Sequence, residues 1–190
     1  NAYQYDFSST FNLGKFFPDD FGIKVPMYIG RSEAIKNPQY NPLDPDILLT
    51  KSLSALDSKA EKDDLKEIVQ DYVQRKSINF IGVKKDRAPE QKQRIYDPEN
   101  LTLSYSYNQV EKHNYEIENY LDQQVSTSVD YTFAFQPKPV EPFKKSKYFK
   151  KSDYWKLLSD FNFNYLPSNI SFSTNIIRQY NRQQFRQVDV

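Results

Sequence analysis

A two-residue alternation of apolar and polar side chains returns in every long segment of this sequence. Between positions 125 and 135 the odd residues read Val, Thr, Val, Tyr, Phe and Phe, and the even residues read Ser, Ser, Asp, Thr and Ala. Successive side chains of a β-strand point to opposite sides of the sheet, so this segment predicts a strand with one apolar face and one small, polar face. Residues 3–13 and 101–107 repeat the pattern with Tyr, Phe and Leu.

The length of this alternation favours a membrane wall over a soluble sheet. Strands of globular proteins average about 5–6 residues, whereas the pattern holds for 11 residues over 125–135. Eleven residues at about 3.3 Å each, tilted near 40°, give roughly 28 Å of height, close to the apolar band of an outer-membrane barrel. We therefore predict an all-β fold with one inserted helix, in which a long antiparallel meander forms part of a large transmembrane β-barrel.

Composition excludes several classes of function. The net charge of +1 provides no basic stripe for nucleic acid. The chain has no cysteine and one histidine, so disulfides and thiolate metal sites are excluded and a zinc site or catalytic triad is hard to build. A mean hydropathy of −0.81 is low for a self-sufficient core, yet 15 Tyr and 14 Phe argue against simple disorder. We expect no enzyme, cofactor or metal site.

Local signals divide the chain into three segments. Residues 1–33 are predicted to form a hairpin of barrel strands. Residues 34–99 are an inserted loop region, with a helix at about 58–75 and a short strand at 77–83. The helix is indicated by Ser58 and Glu61, which match a capping box. Residues 100–190 are predicted to hold further barrel strands, with a long loop at 136–153 and a strand at 154–165.

The predicted strands do not make a complete barrel. Single-chain barrels begin at about eight strands, and six clear strands are visible here. We therefore expect the chain to be a segment that the rest of the same barrel completes. If residues 77–83 do not cross the membrane, the long segments 34–99 and 136–153 fall on one side of it.

The alternation assigns strand side chains to lipid or to a water-filled lumen. The predicted lipid-facing set is Tyr5, Phe7, Leu103, Tyr105, Val129, Tyr131, Phe133, Phe161, Phe163 and Phe172. The predicted lumen-facing set is Asp6, Ser8, Ser104, Asp130, Asn162 and Asn164. A soluble antiparallel sheet also alternates, with its apolar face inward. A soluble β-rich surface binding module and a segment of a generic porin or transporter barrel therefore stay open as alternatives.

Longer runs of the sequence resemble a known family. They include FNLGKFFPDDFGIKVP (11–26), NPQYNPLDPDILL (37–49), YDPENLTLSYSYNQVEKHNYEIENYL (96–121) and LLSDFNFNYLPSNISF (157–172). These runs resemble the SprA/Sov family, the outer-membrane translocon barrels of the type IX secretion system of Bacteroidetes, which is tied to gliding motility. The resemblance covers nearly the whole chain and is weakest across residues 52–75.

The resemblance implies a function, a location and partners. It implies a structural segment of a protein-conducting barrel in the cell outer membrane of a Gram-negative, Bacteroidetes-like cell, through which folded cargo proteins are exported. The implied partners are a plug protein, a small accessory outer-membrane barrel, the secreted cargo proteins and the lipid bilayer. The family has no catalytic residues to carry over to this sequence.

Overall fold

The computed structural model describes residues 1–136, 139–142 and 161–187. Its helices and strands, in chain order, are β1 (Ala2–Asn12), β2 (Ile23–Lys24), β3 (Pro26–Lys36), β4 (Tyr40–Asn41), β5 (Asp44–Leu48), α1 (Leu49–Ser54), α2 (Lys59–Val69), β6 (Asp71–Lys85), β7 (Leu101–His113), β8 (Ile117–Ala134) and β9 (Asn169–Phe185). Short 3-10 turns cover Leu13–Phe16, Asp19–Phe21 and Pro98–Asn100.

One antiparallel sheet contains most of these strands. Its order is β1-β3-β6-β7-β8-β9, and β2 adds a short pairing to β6. The prediction of a β-rich, antiparallel fold with an inserted helix is confirmed. Strands β1 and β9 are the two edges, so the described sheet is open and each edge presents unpaired backbone groups. β4 and β5 form a separate two-stranded ladder within the region predicted to be loop.

Within the part of the chain that the structure describes, no second layer covers the main sheet. Among the described residues the buried hydrophobic side chains are Leu49, Val69 and Phe133. Large apolar strand residues are instead open to the surroundings, with Phe7 67% exposed and Phe172 62% exposed. A soluble β-domain buries one face of its sheet against another layer. The described part of this chain forms a single wall.

The inserted helix begins where its sequence places it and ends early. The Ser58 hydroxyl accepts a hydrogen bond from the Glu61 amide (3.1 Å), and the Glu61 carboxylate accepts one from the Ser58 amide (3.3 Å), which completes the capping box. The helix α2 ends at Val69 rather than at 75, and it is preceded by the short helix α1. The prediction for the helix C-terminus is therefore corrected by about six residues.

The residues beyond Val69 belong to a long strand. β6 spans 15 residues and pairs with β3 on one side and β7 on the other. The short strand predicted at 77–83 is the second half of this element. Tyr72 and Val73 extend the helical apolar spacing, but aromatic and β-branched residues also suit a strand, and ladder partners on both sides decide between the two.

Because β6 is a full strand, the long connections lie at both ends of the sheet. The connection 37–70, which contains α1 and α2, lies at the same end as the turn 114–116, and we call this the helix end. The connections 13–25 and 86–100 lie at the opposite end, which we call the loop end, and Ala134 of β8 and Asn169 of β9 end there too.

Part of the predicted C-terminal architecture is corrected. Residues 154–160, and residues 137–138 and 143–153 of the predicted loop 136–153, lie outside the described residues. The described residues 161–165 form only an isolated bridge, in which Phe163 and Val140 exchange backbone hydrogen bonds of 2.9 and 3.2 Å. Phe161, Phe163, Asn162 and Asn164 are therefore not on a strand of the main sheet, since alternation without a partner ladder does not make a strand. β9 pairs directly with β8 instead.

None of the helices in the described ranges has the length and hydropathy needed to cross a bilayer.

Candidate functional surface

The pairing register sorts the strand side chains of the main sheet into two faces. Residues directly opposite each other on neighbouring strands share a face. One face, which we call the aromatic face, carries the predicted lipid-facing residues Tyr5, Phe7, Leu103, Tyr105, Val129, Tyr131, Phe133 and Phe172. The other, the polar face, carries the predicted lumen-facing residues Asp6, Ser8, Ser104 and Asp130. The register supports the division into two faces, and the medium that each face meets stays a prediction.

A bulge keeps the two faces continuous across β6. Phe80 pairs with Tyr105 and Val83 with Leu103, so β6 has one residue more than β7 between these pairs. Gly82 occupies the bulge with a φ of 76°, a left-handed conformation that glycine adopts without steric cost. Its amide donates a hydrogen bond to the Ser104 hydroxyl (3.1 Å). The bulge returns Val83 to the aromatic face.

Toward the loop end, the aromatic face is mainly apolar, with Ser9, Thr127 and Thr174 as its hydroxyl-bearing members. We call this area the apolar half. Its side chains are Phe11, Met27, Ile29, Ile78, Phe80, Leu101, Leu103, Tyr105, Tyr107, Val125, Val129, Tyr131, Phe133, Ile170, Phe172 and Ile176. On β8 it runs from Val125 to Phe133, which is roughly 20 Å of height at a tilt near 40°. This height approaches that of a bilayer's apolar band.

Toward the helix end, a hydrogen-bonded belt crosses the same face. The belt consists of Arg31, Glu33, Gln74, Lys76, Gln109, Glu111 and Gln123 on four adjacent strands. The Glu33 carboxylate accepts hydrogen bonds from Arg31 Nε (3.0 Å) and Gln74 Nε2 (2.8 Å). Lys76 lies 3.8 Å from Glu111, which also accepts a hydrogen bond from Gln109. The Gln123 amide donates to Gln109 and to the Tyr107 hydroxyl, both at 3.0 Å.

The polar belt was not identified from the sequence. Its members come from different strands, and the contact between Gln74 and Glu33 joins positions 41 residues apart. The sequence does carry one local signal. Along one face of β7, the aromatic residues Tyr105 and Tyr107 are followed by the polar residues Gln109 and Glu111. Such a change could have marked the limit of the apolar half.

On the polar face, polar side chains of neighbouring strands form hydrogen bonds with each other. The Ser126 hydroxyl donates to Asn175 (3.0 Å), and Gln179 donates to the Asp122 carboxylate (3.0 Å). The Ser173 hydroxyl donates to Asp130 (2.5 Å). These residues join β8 to β9 and leave further donors and acceptors open to water. Such a surface suits an aqueous lumen.

The connection 86–100 is fixed to the loop end by buried polar contacts. The Asn100 amide donates to the Arg94 carbonyl (2.7 Å), and Asn100 is 6% exposed. The Lys85 ammonium lies 2.7 Å from the Glu99 carboxylate, and the Glu99 side chain is 2% exposed. The hydrogen bond that Lys85 donates holds the pKa of the Glu99 carboxyl below its ordinary value. The Tyr131 hydroxyl donates to the Ile95 carbonyl (2.7 Å), which joins the connection to the aromatic face.

Phe133 is an exception on the aromatic face. It is 8% exposed, and its ring packs edge-to-face on Phe135 with the centroids 4.9 Å apart. Together with residues 87 and 89–93 of the connection it lines a cavity at the loop end. The chain itself shields most of this ring, and the medium that the rest of it meets stays a prediction.

Helix α2 contacts the helix end of the main sheet. The ring of His113, the last residue of β7, stacks on Tyr72 at 4.8 Å, and its Nδ1 lies 3.1 Å from the Glu67 carbonyl of α2. Asn114 accepts hydrogen bonds from the amides of Glu116 and Ile117, which closes the turn between β7 and β8. No group of three or more His, Cys, Asp or Glu residues among the described positions could hold a metal ion.

Comparison with known proteins relates the N-terminal part of the chain to one family. A family model named SprA_N, described as motility related/secretion protein, matches residues 1–53. The matched residues include β1, β2 and β3 of the main sheet and the β4–β5 ladder. A search of curated proteins found no match. The chain is thus related, through these residues, to motility- and secretion-related proteins.

Proposed function

We propose that this chain is a structural segment of a protein-conducting outer-membrane β-barrel, which exports folded cargo proteins in type IX secretion and gliding motility. The observation that carries the proposal is the two-sided wall: an uncovered aromatic face backed by a hydrophilic face. Soluble monomeric domains rarely expose so large an apolar surface. The wall of a wide barrel, by contrast, contacts hydrocarbon on one side and water on the other.

The open edges support membership in a larger barrel. β1 and β9 each pair on one side only, and such edges are prone to aggregation unless they find partners. Further strands of the same barrel would pair with them. The motility- and secretion-related family match favours a translocon over a generic porin or transporter.

The segment acts as a passive wall and contributes no chemistry in this proposal. The polar face lines the conduit, and the connections at the two ends are available for a plug protein, a small accessory barrel and cargo. No particular contact favours the soluble binding module, so we retain it only as the outcome that would refute the proposal.

The proposal can be tested with introduced thiols, because none of the 190 residues is a cysteine. Ile176→Cys lies on the aromatic face and Asn175→Cys on the polar face, at adjacent positions of β9. In isolated membranes the Asn175→Cys thiol should react with a water-soluble maleimide and the Ile176→Cys thiol should not. Equal reaction at both positions, in a protein that stays soluble without detergent, would identify a soluble module.

A second measurement separates a translocon from a porin. Cells that lack the protein should retain folded cargo in the periplasm. Unchanged export together with reduced uptake of small solutes would instead identify a porin or transporter.

A further inference from the structure

Three strands of the main sheet, β6, β8 and β9, are longer than a bilayer requires. A transmembrane strand needs about 9–11 residues. β6 has 15 residues, β8 has 18 and β9 has 17. If these strands cross a membrane, as the proposed function requires, several residues of each must extend beyond the hydrocarbon. Strand length alone does not say at which end.

The polar belt identifies that end. It places two carboxylates, a guanidinium, an ammonium and three amides on the face that would meet lipid. Charged groups on a lipid-facing strand are costly near the midplane and are tolerated close to the interface. When β8 is divided at the belt, the part toward the loop end is 124–134, or about 11 residues, which matches one crossing.

The same division leaves a similar number of residues beyond the belt on every strand, whereas toward the loop end β1 and β3 keep five residues each, 8–12 and 26–30. Beyond and including the belt, the strands retain residues 2–7, 31–36, 71–76, 109–113, 117–123 and 180–185. Each remainder is about five to seven residues long. We call this band the collar. It ends at the helix end, where α1 and α2 are attached.

Two arginines on β9 flank the limit of the belt, with Arg182 in a belt row and Arg178 one row closer to the loop end. On the aromatic face Arg178, Tyr180 and Arg182 lie opposite Val125, Gln123 and Leu121. Neither arginine has a carboxylate within ion-pair distance among the described residues. Arginine beside tyrosine at the limit of an apolar band is the arrangement that meets lipid headgroups, where the cation reaches phosphate and the ring lies at the interface.

We propose that one membrane surface crosses the sheet at the polar belt, with Arg178 and Arg182 against lipid headgroup phosphates, and that the strands continue past it as an aqueous collar. This inference rests on the proposed function. It places Tyr5 and Phe7, whose neighbours are Glu33 and Arg31, at the headgroup level rather than in hydrocarbon. The collar then holds α1 and α2 away from the bilayer, on the water side of that surface.

Depth measurements along β7 test the position of the surface. Single cysteines replace Leu103, Tyr105, Tyr107, Gln109, Glu111 and His113 in turn, all on the aromatic face. Each thiol of the full protein, reconstituted in phosphatidylcholine–phosphatidylglycerol vesicles, carries a bimane fluorophore. The quenchers are a nitroxide on the lipid acyl chain, a nitroxide on the headgroup, and iodide in water. Ser104→Cys, on the polar face, is the matched control and should show no acyl-chain quenching.

We expect acyl-chain quenching at 103 and 105, the strongest headgroup quenching at 107 and 109, and iodide quenching at 111 and 113. Acyl-chain quenching that persists at 111 and 113 would overturn the collar and leave the proposed function intact. Iodide quenching at all six positions would overturn both. A series on β9 at positions 174, 176, 178, 180 and 182 measures the same boundary where a β7 variant fails to assemble.

The headgroup contact has its own test. The fluorophore for this test is attached at Tyr107→Cys. Its quenching by spin-labelled phosphatidylglycerol should no longer exceed its quenching by spin-labelled phosphatidylcholine in the double variant Arg178→Gln, Arg182→Gln. Arg75→Gln removes an exposed cation at a similar level of the polar face and should leave that preference unchanged. A preference that survives the double variant would refute the contact with phosphate.

Discussion

The substitution Val129→Arg tests the assignment of faces most directly. The predicted crossing of β8 covers 124–134, so Val129 is its central residue. Five residues at about 3.3 Å, tilted near 40°, place it roughly 13 Å from each membrane surface. An arginine on the lipid face at the midplane costs about 2–4 kcal/mol. Ser128 is equally half-buried but lies on the polar face between Ser104 and Asn175, so Ser128→Arg should cost less than about 1 kcal/mol.

The assay is a urea titration of the reconstituted protein, with protease resistance as the measure of the folded fraction. The midpoint for Val129→Arg should fall at an unchanged slope, and Ser128→Arg should stay close to the parent. Val129→Leu, which keeps the position apolar, should lose less than about 1.5 kcal/mol. Equal losses for the two arginine variants would refute the reasoning, and a larger loss for Ser128→Arg would show that the faces are reversed.

Three further predictions concern the bulge and the loop end. Gly82→Ala should lower the free energy of unfolding by about 1–2 kcal/mol because Gly82 has a positive φ, and the urea midpoint measures it. Asn100→Ala should cost about 1–3 kcal/mol by removing the hydrogen bonds that the buried Asn100 amide donates to the Arg94 and Ile95 carbonyls, and it should speed proteolysis within 86–100. The Glu99 pKa is lowered, so its contact with Lys85 should stabilise the connection fully above the ordinary carboxyl pKa and be lost as pH falls through the lowered value.

Matched variants control these three measurements. Gly82→Asn should lose less than Gly82→Ala, because asparagine tolerates a left-handed backbone. Proteolysis outside 86–100 should be unaffected by Asn100→Ala, and a general increase would point to global unfolding instead. Glu99→Gln should remove the acid-induced rise in proteolysis of 86–100. If the rise is unchanged in that variant, another carboxyl causes it.

The start of helix α2 could be predicted from the sequence, but its C-terminus could not. Local chemistry correctly placed the start of α2, because the capping box at Ser58 and Glu61 depends only on neighbouring residues. The end was misplaced because Tyr72 and Val73 satisfy both helical spacing and strand propensity. The choice depends on β3 and β7, which supply ladder partners from distant positions.

The first half of β6 was also not predicted as a strand from the sequence. Its residues on the aromatic face at this level are Gln74 and Lys76, so apolar and polar positions do not alternate there. Alternation becomes visible only from Ile78 onward, where the apolar half begins. The short strand predicted at 77–83 therefore corresponds to the part of β6 that lies outside the polar belt.

The amino-acid sequence by itself determined that this chain makes long, two-sided strands, because alternation and side-chain chemistry are properties of neighbouring residues. Only the tertiary structure decided that β6 lies between β3 and β7, that 161–165 stays outside the sheet, and that seven polar residues from four strands meet in one belt. The physical reason is register. A strand fixes which side each residue faces, but which residues become neighbours across strands depends on hydrogen-bonded pairing between distant parts of the chain.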